Sequence, residues 1–174
     1  MKAKHMTHMQ FLKIARVVAE SSSCISLKVG ALLVRDNRII SSGYNGTPPG
    51  FSNCNTVHSC SGPEHSEWSQ NHEIHAEMNA ILYAATSGVS ITNTALYCTH
   101  EPCNNCLKHI LGTGPDGIKS VIYQTPYTKQ TAEQLDWKRK MLEAYDYPFL
   151  RLVQSSQGTA LENHPICELW SDFA

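Results

Sequence analysis

Four residues in two short stretches have the types and the spacing to do chemistry. They are His75 and Glu77, in His75-Ala76-Glu77, and Cys103 and Cys106, in Pro102-Cys103-Asn104-Asn105-Cys106. One imidazole and two thiolates supply three ligands of a near-tetrahedral Zn²⁺ site and leave the fourth position to water. A metal held in this way lowers the pKa of that water toward neutrality. The glutamate, two residues from the histidine, is of a type that can carry protons beside such a metal. A neutral histidine and two thiolates also cancel the charge of the ion, which lets such a site be buried without a stranded charge. A Cys-x-x-Cys alone serves redox pairs and structural zinc equally well. The combination, in this order and with Pro102 before the first cysteine, favours a catalytic metal centre.

The elements around these residues must bring them together. Cys103 and Cys106 stand three apart at the predicted start of a helix over residues 103–111, where proline is tolerated and the amide dipoles favour thiolates. His75 opens a second predicted helix, over 75–86, so two helix N-termini converge on one ion. Apolar spacing predicts further helices over 9–19, with Thr7 as its cap, and over 131–145. Strand-like runs occupy 29–34 and 38–43, separated by Arg35-Asp36-Asn37 as a hairpin, and then 95–99, 118–123 and 149–153. This order predicts an α/β fold, a five-stranded mixed sheet flanked by helices. Its first pair is antiparallel, and its later strands are made parallel by helical crossovers. Residues 51–72 form a long polar connection holding Cys54, His58, Cys60, His65 and His72, and a structureless loop of that length needs something to organise it. The tail after Ser155 is polar, with Trp170 as an anchor.

Composition narrows the classes of function. The 174 residues are 41% hydrophobic, enough for one domain with a full core spanning 1–174. Fourteen basic against fifteen acidic residues give a net charge of −1, so no strongly basic field exists to hold a polynucleotide, and a small-molecule substrate is expected. No apolar run approaches membrane-spanning length. The start, MKAKHMTHMQ, is too polar for a signal peptide, so a cytoplasmic protein is expected. Seven cysteines in such a chain point to metal binding before disulfides. Cys98, in an apolar run, reads as core; Cys167 has no assigned role.

The chain resembles the cytidine deaminase-like superfamily, and within it the phage-type deoxycytidylate (dCMP) deaminases. The resemblance rests on Cys24-Ile-Ser-Leu-Lys-Val-Gly-Ala31, Gly43-Tyr-Asn-Gly-Thr-Pro48, His65-Ser-Glu-Trp68, Glu73-Ile-His-Ala-Glu-Met-Asn-Ala-Ile-Leu82 and Pro102-Cys-Asn-Asn-Cys106. It implies a three-layer sandwich that converts dCMP to dUMP and ammonia for thymidylate synthesis. His75, Cys103 and Cys106 would be the zinc ligands and Glu77 the proton shuttle between water, the ring nitrogen and the leaving amine. It assigns Asn45 to substrate contact, and Tyr127, in a loop after a strand, would line the nucleotide pocket. In phage-type relatives a second, structural zinc ties down the long connection; Cys24, Cys54 and His65 match its ligands. Glu73 is the candidate fourth ligand and Cys60 a nearby alternative. Regulated members respond to dCTP and dTTP with Mg²⁺ and assemble as homo-hexamers. Tyr83 keeps their aromatic residue, but Thr86 stands where they carry arginine, and a hydroxyl cannot do a guanidinium's bidentate work. Control by effectors through Lys28, Tyr83 and Thr86 is therefore left open. Other readings of the same site are a dCTP or bifunctional dCMP/dCTP deaminase, a tRNA adenosine deaminase, which needs a basic face, and a non-catalytic nucleotide-binding module, which would not need Glu77.

Overall fold

The computed structural model describes residues 5–155 and 158–163. Helix α1 (His8–Ala19) starts at Thr7, whose side chain accepts from the Gln10 N–H while the Gln10 side chain accepts from the Thr7 N–H, a reciprocal cap. Strands β1 (Gly30–Arg35) and β2 (Arg38–Tyr44) form the expected hairpin, with Asp36 and Asn37 at positive φ in the turn. Helices α2 (Cys54–Val57), α3 (Pro63–His72) and α4 (Ala76–Thr86) follow, then β3 (Thr94–His100), α5 (Asn104–Leu111), β4 (Ile118–Thr125), α6 (Ala132–Tyr145), β5 (Phe149–Ser155) and β6 (Gly158–Asn163).

The strands make one six-stranded mixed sheet in the order β2-β1-β3-β4-β5-β6. β1 is antiparallel to both β2 and β3, whereas β3, β4 and β5 are parallel neighbours. The sheet thus has one strand more than the five predicted. The addition, β6, pairs antiparallel with β5 from within the stretch read as a polar tail. All six of its residues are exposed, so no buried alternation marked it in the sequence. Gly158, its first residue, sits at φ +128, a conformation that glycine adopts without a Cβ penalty. Trp170 and Cys167 lie outside the described residues.

Two cores sandwich the sheet. On one face Ala31, Leu33, Leu96, Val121 and Tyr123 pack with α4, α5 and Leu142 of α6; on the other, Leu32, Val34, Tyr97 and Ile122 pack with Phe11, Leu12 and Ala15 of α1. Cys98 is fully buried in the first core, as its apolar run predicted. Helix α4 sits directly on β2 at Gly43, where a Cβ would lie 2.4 Å from the Ala76 carbonyl oxygen and 2.4 Å from the Ala80 nitrogen. The Ser41 hydroxyl donates to the Ala80 carbonyl at 2.6 Å, fixing the same approach.

The strand directions put the C-terminal ends of β2, β3 and β4 on one edge of the sheet. Asn45, the turn from Glu101 to Cys103, and Tyr127 all emerge there, which is where ligands of open α/β sheets sit. The polar connection is not structureless. It carries α2 and α3, the latter started by Pro63 at its first helical position. Among the described residues, no helix is long and apolar enough to cross a membrane.

Candidate active site

His75 and Cys103 are the residues immediately before α4 and α5, in extended conformation, and neither side chain caps its own helix. Both are therefore free to face the space between the two helix starts. His75 is fixed from behind, because Ile74 and Gly46 exchange two backbone hydrogen bonds of 2.8 and 3.1 Å. Asn79, one turn into α4, donates to the Tyr44 carbonyl at 2.7 Å. The loop after β2 and the start of α4 therefore move as one piece.

The three donors converge. Sγ of Cys106 lies 3.3 Å and Sγ of Cys103 3.5 Å from Nδ1 of His75, and all three atoms fall within 4.8 Å of one another. A tetrahedral zinc with ordinary Zn–S and Zn–N bonds separates its nitrogen and sulfur ligands by roughly 3.5 Å, so the residues fit that ion. Their protonation agrees. Cys103 is held down to about 3, first by the Cys106 thiol hydrogen bond and then by His75. His75 is pushed up to about 9, first by its hydrogen bond to Cys103. Cys106 is pushed up, first by its hydrogen bond to Cys103 and then by burial. These groups share protons that a soft dication would displace.

Glu77 is buried in the first turn of α4, beside the donors. Burial raises its pKa, against stabilisation of its carboxylate by backbone hydrogen bonding, His75 and Cys106. A carboxyl group raised in this direction is better able to hold a proton and hand it on. Tyr127 is half-buried, and its phenol is pushed up first by burial and then by the negative Cys103. Its ring therefore belongs to the same electrostatic neighbourhood. Asn45 is buried, with Oδ1 accepting from the Val29 N–H at 2.8 Å and Nδ2 donating to the Leu27 carbonyl at 3.0 Å. Its amide holds the loop before β1 and keeps one hydrogen and one lone pair for another partner.

A second set of donors joins the turn between α1 and β1, which supplies Cys24, to the connection between β2 and α4, which supplies Cys54 and His65. Cys24, Cys54 and His65 are all buried, with their donor atoms within 4.8 Å of one another and Cys24 Sγ 3.5 Å from His65 Nε2. Cys54 is raised first by burial, with Cys24 and Glu73 adding to it. Glu73 is buried nearby, with its carboxylate outside the set of donor atoms that lie within 4.8 Å of one another. One of its oxygens accepts from the Ser69 hydroxyl at 2.7 Å, while the other is buried with no hydrogen-bond partner. A carboxylate oxygen in that condition suits a metal ligand. Cys60 is exposed and stands outside the cluster. His58 packs edge-on against both His65 and Trp68.

The three residues considered for effector binding are not brought together. Lys28 lines a cavity with Arg16, Glu20 and His100 beside α1, and its ammonium donates to the Glu20 carbonyl at 3.3 Å. Tyr83 and Thr86 lie on α4, across the sheet, and the Thr86 hydroxyl turns back onto the Tyr83 carbonyl at 3.1 Å. Sequence reasoning gave no role to Glu101 or Lys138, which are buried and paired behind Cys103. The available signals were a lysine on the apolar face of α6, three after Leu135 and four before Leu142, and a glutamate directly before Pro102.

A buried glutamate beside a His-Cys-Cys triad, at the ends of parallel strands in a three-layer α/β fold, defines a zinc-dependent hydrolytic centre. The chain belongs to the cytidine and deoxycytidylate deaminase family, whose zinc-binding region matches residues 5–125. Deoxycytidylate deaminase of Enterobacteria phage T2 is 36% identical over 84% of this chain and 95% of its own. That of phage T4 is 38% identical over 68% of this chain and 77% of its own. Among solved structures, the dCMP deaminase of cyanophage S-TIM5 in complex with dCMP and dUMP matches with a TM-score of 0.67 and 32% identity. That match covers 84% of this chain and 99% of the other. The resemblance to phage-type dCMP deaminases is thereby borne out.

Proposed function

We propose that this chain hydrolyses dCMP to dUMP and ammonia, with His75, Cys103 and Cys106 as the catalytic metal ligands and Glu77 as the proton carrier. The observation that carries the reading is the convergence of the three donors on the start of α4, with Glu77 buried two residues after His75. Zinc held by these donors supplies the Lewis acidity that makes water nucleophilic near neutral pH. Glu77 would take a proton from the attacking water and deliver it to ring nitrogen 3 of cytosine as the remaining hydroxyl adds to carbon 4. Glu77 would then pass the proton of the added hydroxyl to the amino group; the bond from carbon 4 to nitrogen breaks as the carbonyl forms, so one water is consumed and one ammonia released. The raised Glu77 pKa suits both transfers, since the same group must accept and donate within one turnover. Tyr127 would close the pocket over the nucleotide. Asn45 would offer its remaining hydrogen and lone pair to the substrate while holding the 27–29 loop.

A second, structural zinc at Cys24, Cys54, His65 and Glu73 completes the reading. Closed coordination by soft donors is the structural pattern. Such an ion offsets the ordering entropy of a segment with little core of its own. Effector control by dCTP and dTTP with Mg²⁺, and assembly into a hexamer, are a finer part of the proposal. The exposed Leu82 and Tyr83 on α4 are apolar surface that a second copy would cover.

The test is ammonia release from dCMP, dCTP, deoxycytidine and cytidine, each with and without dCTP or dTTP plus Mg²⁺. Turnover of dCMP above the other three supports the proposal. Zinc-loaded protein that releases no ammonia from any of them refutes it.

A further inference from the structure

Lys138 is the least expected residue of the interior. It is a lysine with 0% exposure on α6. Taking an ammonium from water is costly unless its partners are well placed. Here its partners belong to the metal-ligand turn. The Lys138 ammonium pairs with Oε1 of Glu101 and donates to the Pro102 carbonyl at 2.9 Å. Those are the two residues directly before Cys103.

Glu101, itself buried, extends the tie in the other direction. Its Oε2 accepts from the Tyr127 N–H at 2.9 Å, and its Oε1 accepts from the Gln130 amide at 3.1 Å. The same Gln130 amide donates to the Tyr127 carbonyl at 2.8 Å. The Glu101 N–H donates to the Thr125 carbonyl at 2.8 Å, and the Asn104 amide donates to the Gln134 carbonyl at 2.6 Å. One carboxylate thus joins three things: the turn that presents Cys103, the loop that presents Tyr127 and the buried face of α6.

We propose that Glu101 and Lys138 are positioning residues for the reaction. They hold the Cys103 turn and the Tyr127 loop in a single register, so that metal hold and nucleotide fit are set together. The inference rests on the assignment of Cys103 to the metal and Tyr127 to the nucleotide. A purely structural pair would lower the melting temperature when removed and leave the folded protein's metal hold and substrate affinity untouched. A positioning pair moves both.

The experiment uses the zinc-loaded full chain carrying Glu101→Gln together with Lys138→Met. This change keeps the side-chain volumes and removes both charges, and neutral replacement of a buried ion pair need not lose stability. The expected results are a KM for dCMP about tenfold higher and transfer of zinc to a chromogenic chelator about tenfold faster, the lower end for outer-shell partners of metal sites. If either quantity stays within about twofold of wild type, the tie is refuted. Should the double variant not accumulate as folded protein, Gln130→Ala decides the matter from a half-buried loop position. There a KM about threefold higher at an unchanged melting temperature supports the tie, and an unchanged KM overturns it. The chelator measurement needs no turnover. A wild-type chain that deaminates nothing would defeat the functional reading while zinc transfer still decides this one.

Discussion

The two donor clusters are chemically near-identical and mechanically opposite. His75, Cys103 and Cys106 sit where two helices start against a sheet buried on both faces, and that scaffold is set by Leu33, Leu96, Val121, Leu107 and Ile110. In the second cluster, Cys54 and His65 sit in a segment whose two helices bury almost nothing else, and Cys24 meets them from the turn between α1 and β1. Cys54 is the one buried residue of α2 and His65 the one of α3. In the first cluster the fold positions the donors; in the second, on the function proposed above, the donors position the segment. A catalytic centre must keep its geometry while ligands exchange, and a structural ion only has to hold.

Substitutions can break this contrast, beginning with the largest effect. Glu77→Gln should lower turnover by about 10²–10⁴-fold, the usual worth of a general acid-base group, while zinc content and the melting curve stay near wild type. Near-wild-type turnover with zinc bound would remove Glu77 from the mechanism. Cys54→Ser should lower the melting temperature by at least about 4 °C, equivalent to a kcal/mol or two in a chain of this size. It should also open residues 54–72 to limited proteolysis while the sheet stays protected. A digest identical to wild type would show that α2 and α3 do not depend on the second cluster.

Smaller changes sharpen the contrast. Gly43→Ala drives a Cβ into the Ala76 and Ala80 backbone, so α4 must move off β2. The expected cost is about 1–3 kcal/mol of overpacking, read by denaturant unfolding, with a fall in kcat and no loss of zinc from the second cluster. Thr131→Ala removes the α6 cap, formed by the Thr131 side chain accepting from the Gln134 N–H. It should cost about 1 kcal/mol and leave both zincs and turnover unchanged.

What the sequence made legible follows the same division. The sheet-built centre was readable because helix starts and metal ligands carry local signals: Pro102 before Cys103, the periodic run after His75, and Gly43 before the Asn45 loop. Helix and strand positions on the buried sheet followed from apolar spacing. Helices α2 and α3 were not legible, because Pro63 to His72 lacks an apolar face and buries only His65. Strand β6 was missed for a related reason, since an exposed edge strand pairs through its backbone and needs no apolar side chains. The Glu101–Lys138 pair was hidden because charge normally marks surface, and only the fold shows these two facing each other across the Cys103 turn.

The most direct test of the division of labour is zinc stoichiometry measured together with dCMP turnover in wild type, Cys54→Ser and Cys106→Ser. The account predicts about two zincs per chain in wild type and about one in each variant, with turnover surviving in Cys54→Ser and lost in Cys106→Ser. One zinc per chain in wild type, unchanged in Cys54→Ser, would contradict it, as would full turnover in Cys106→Ser.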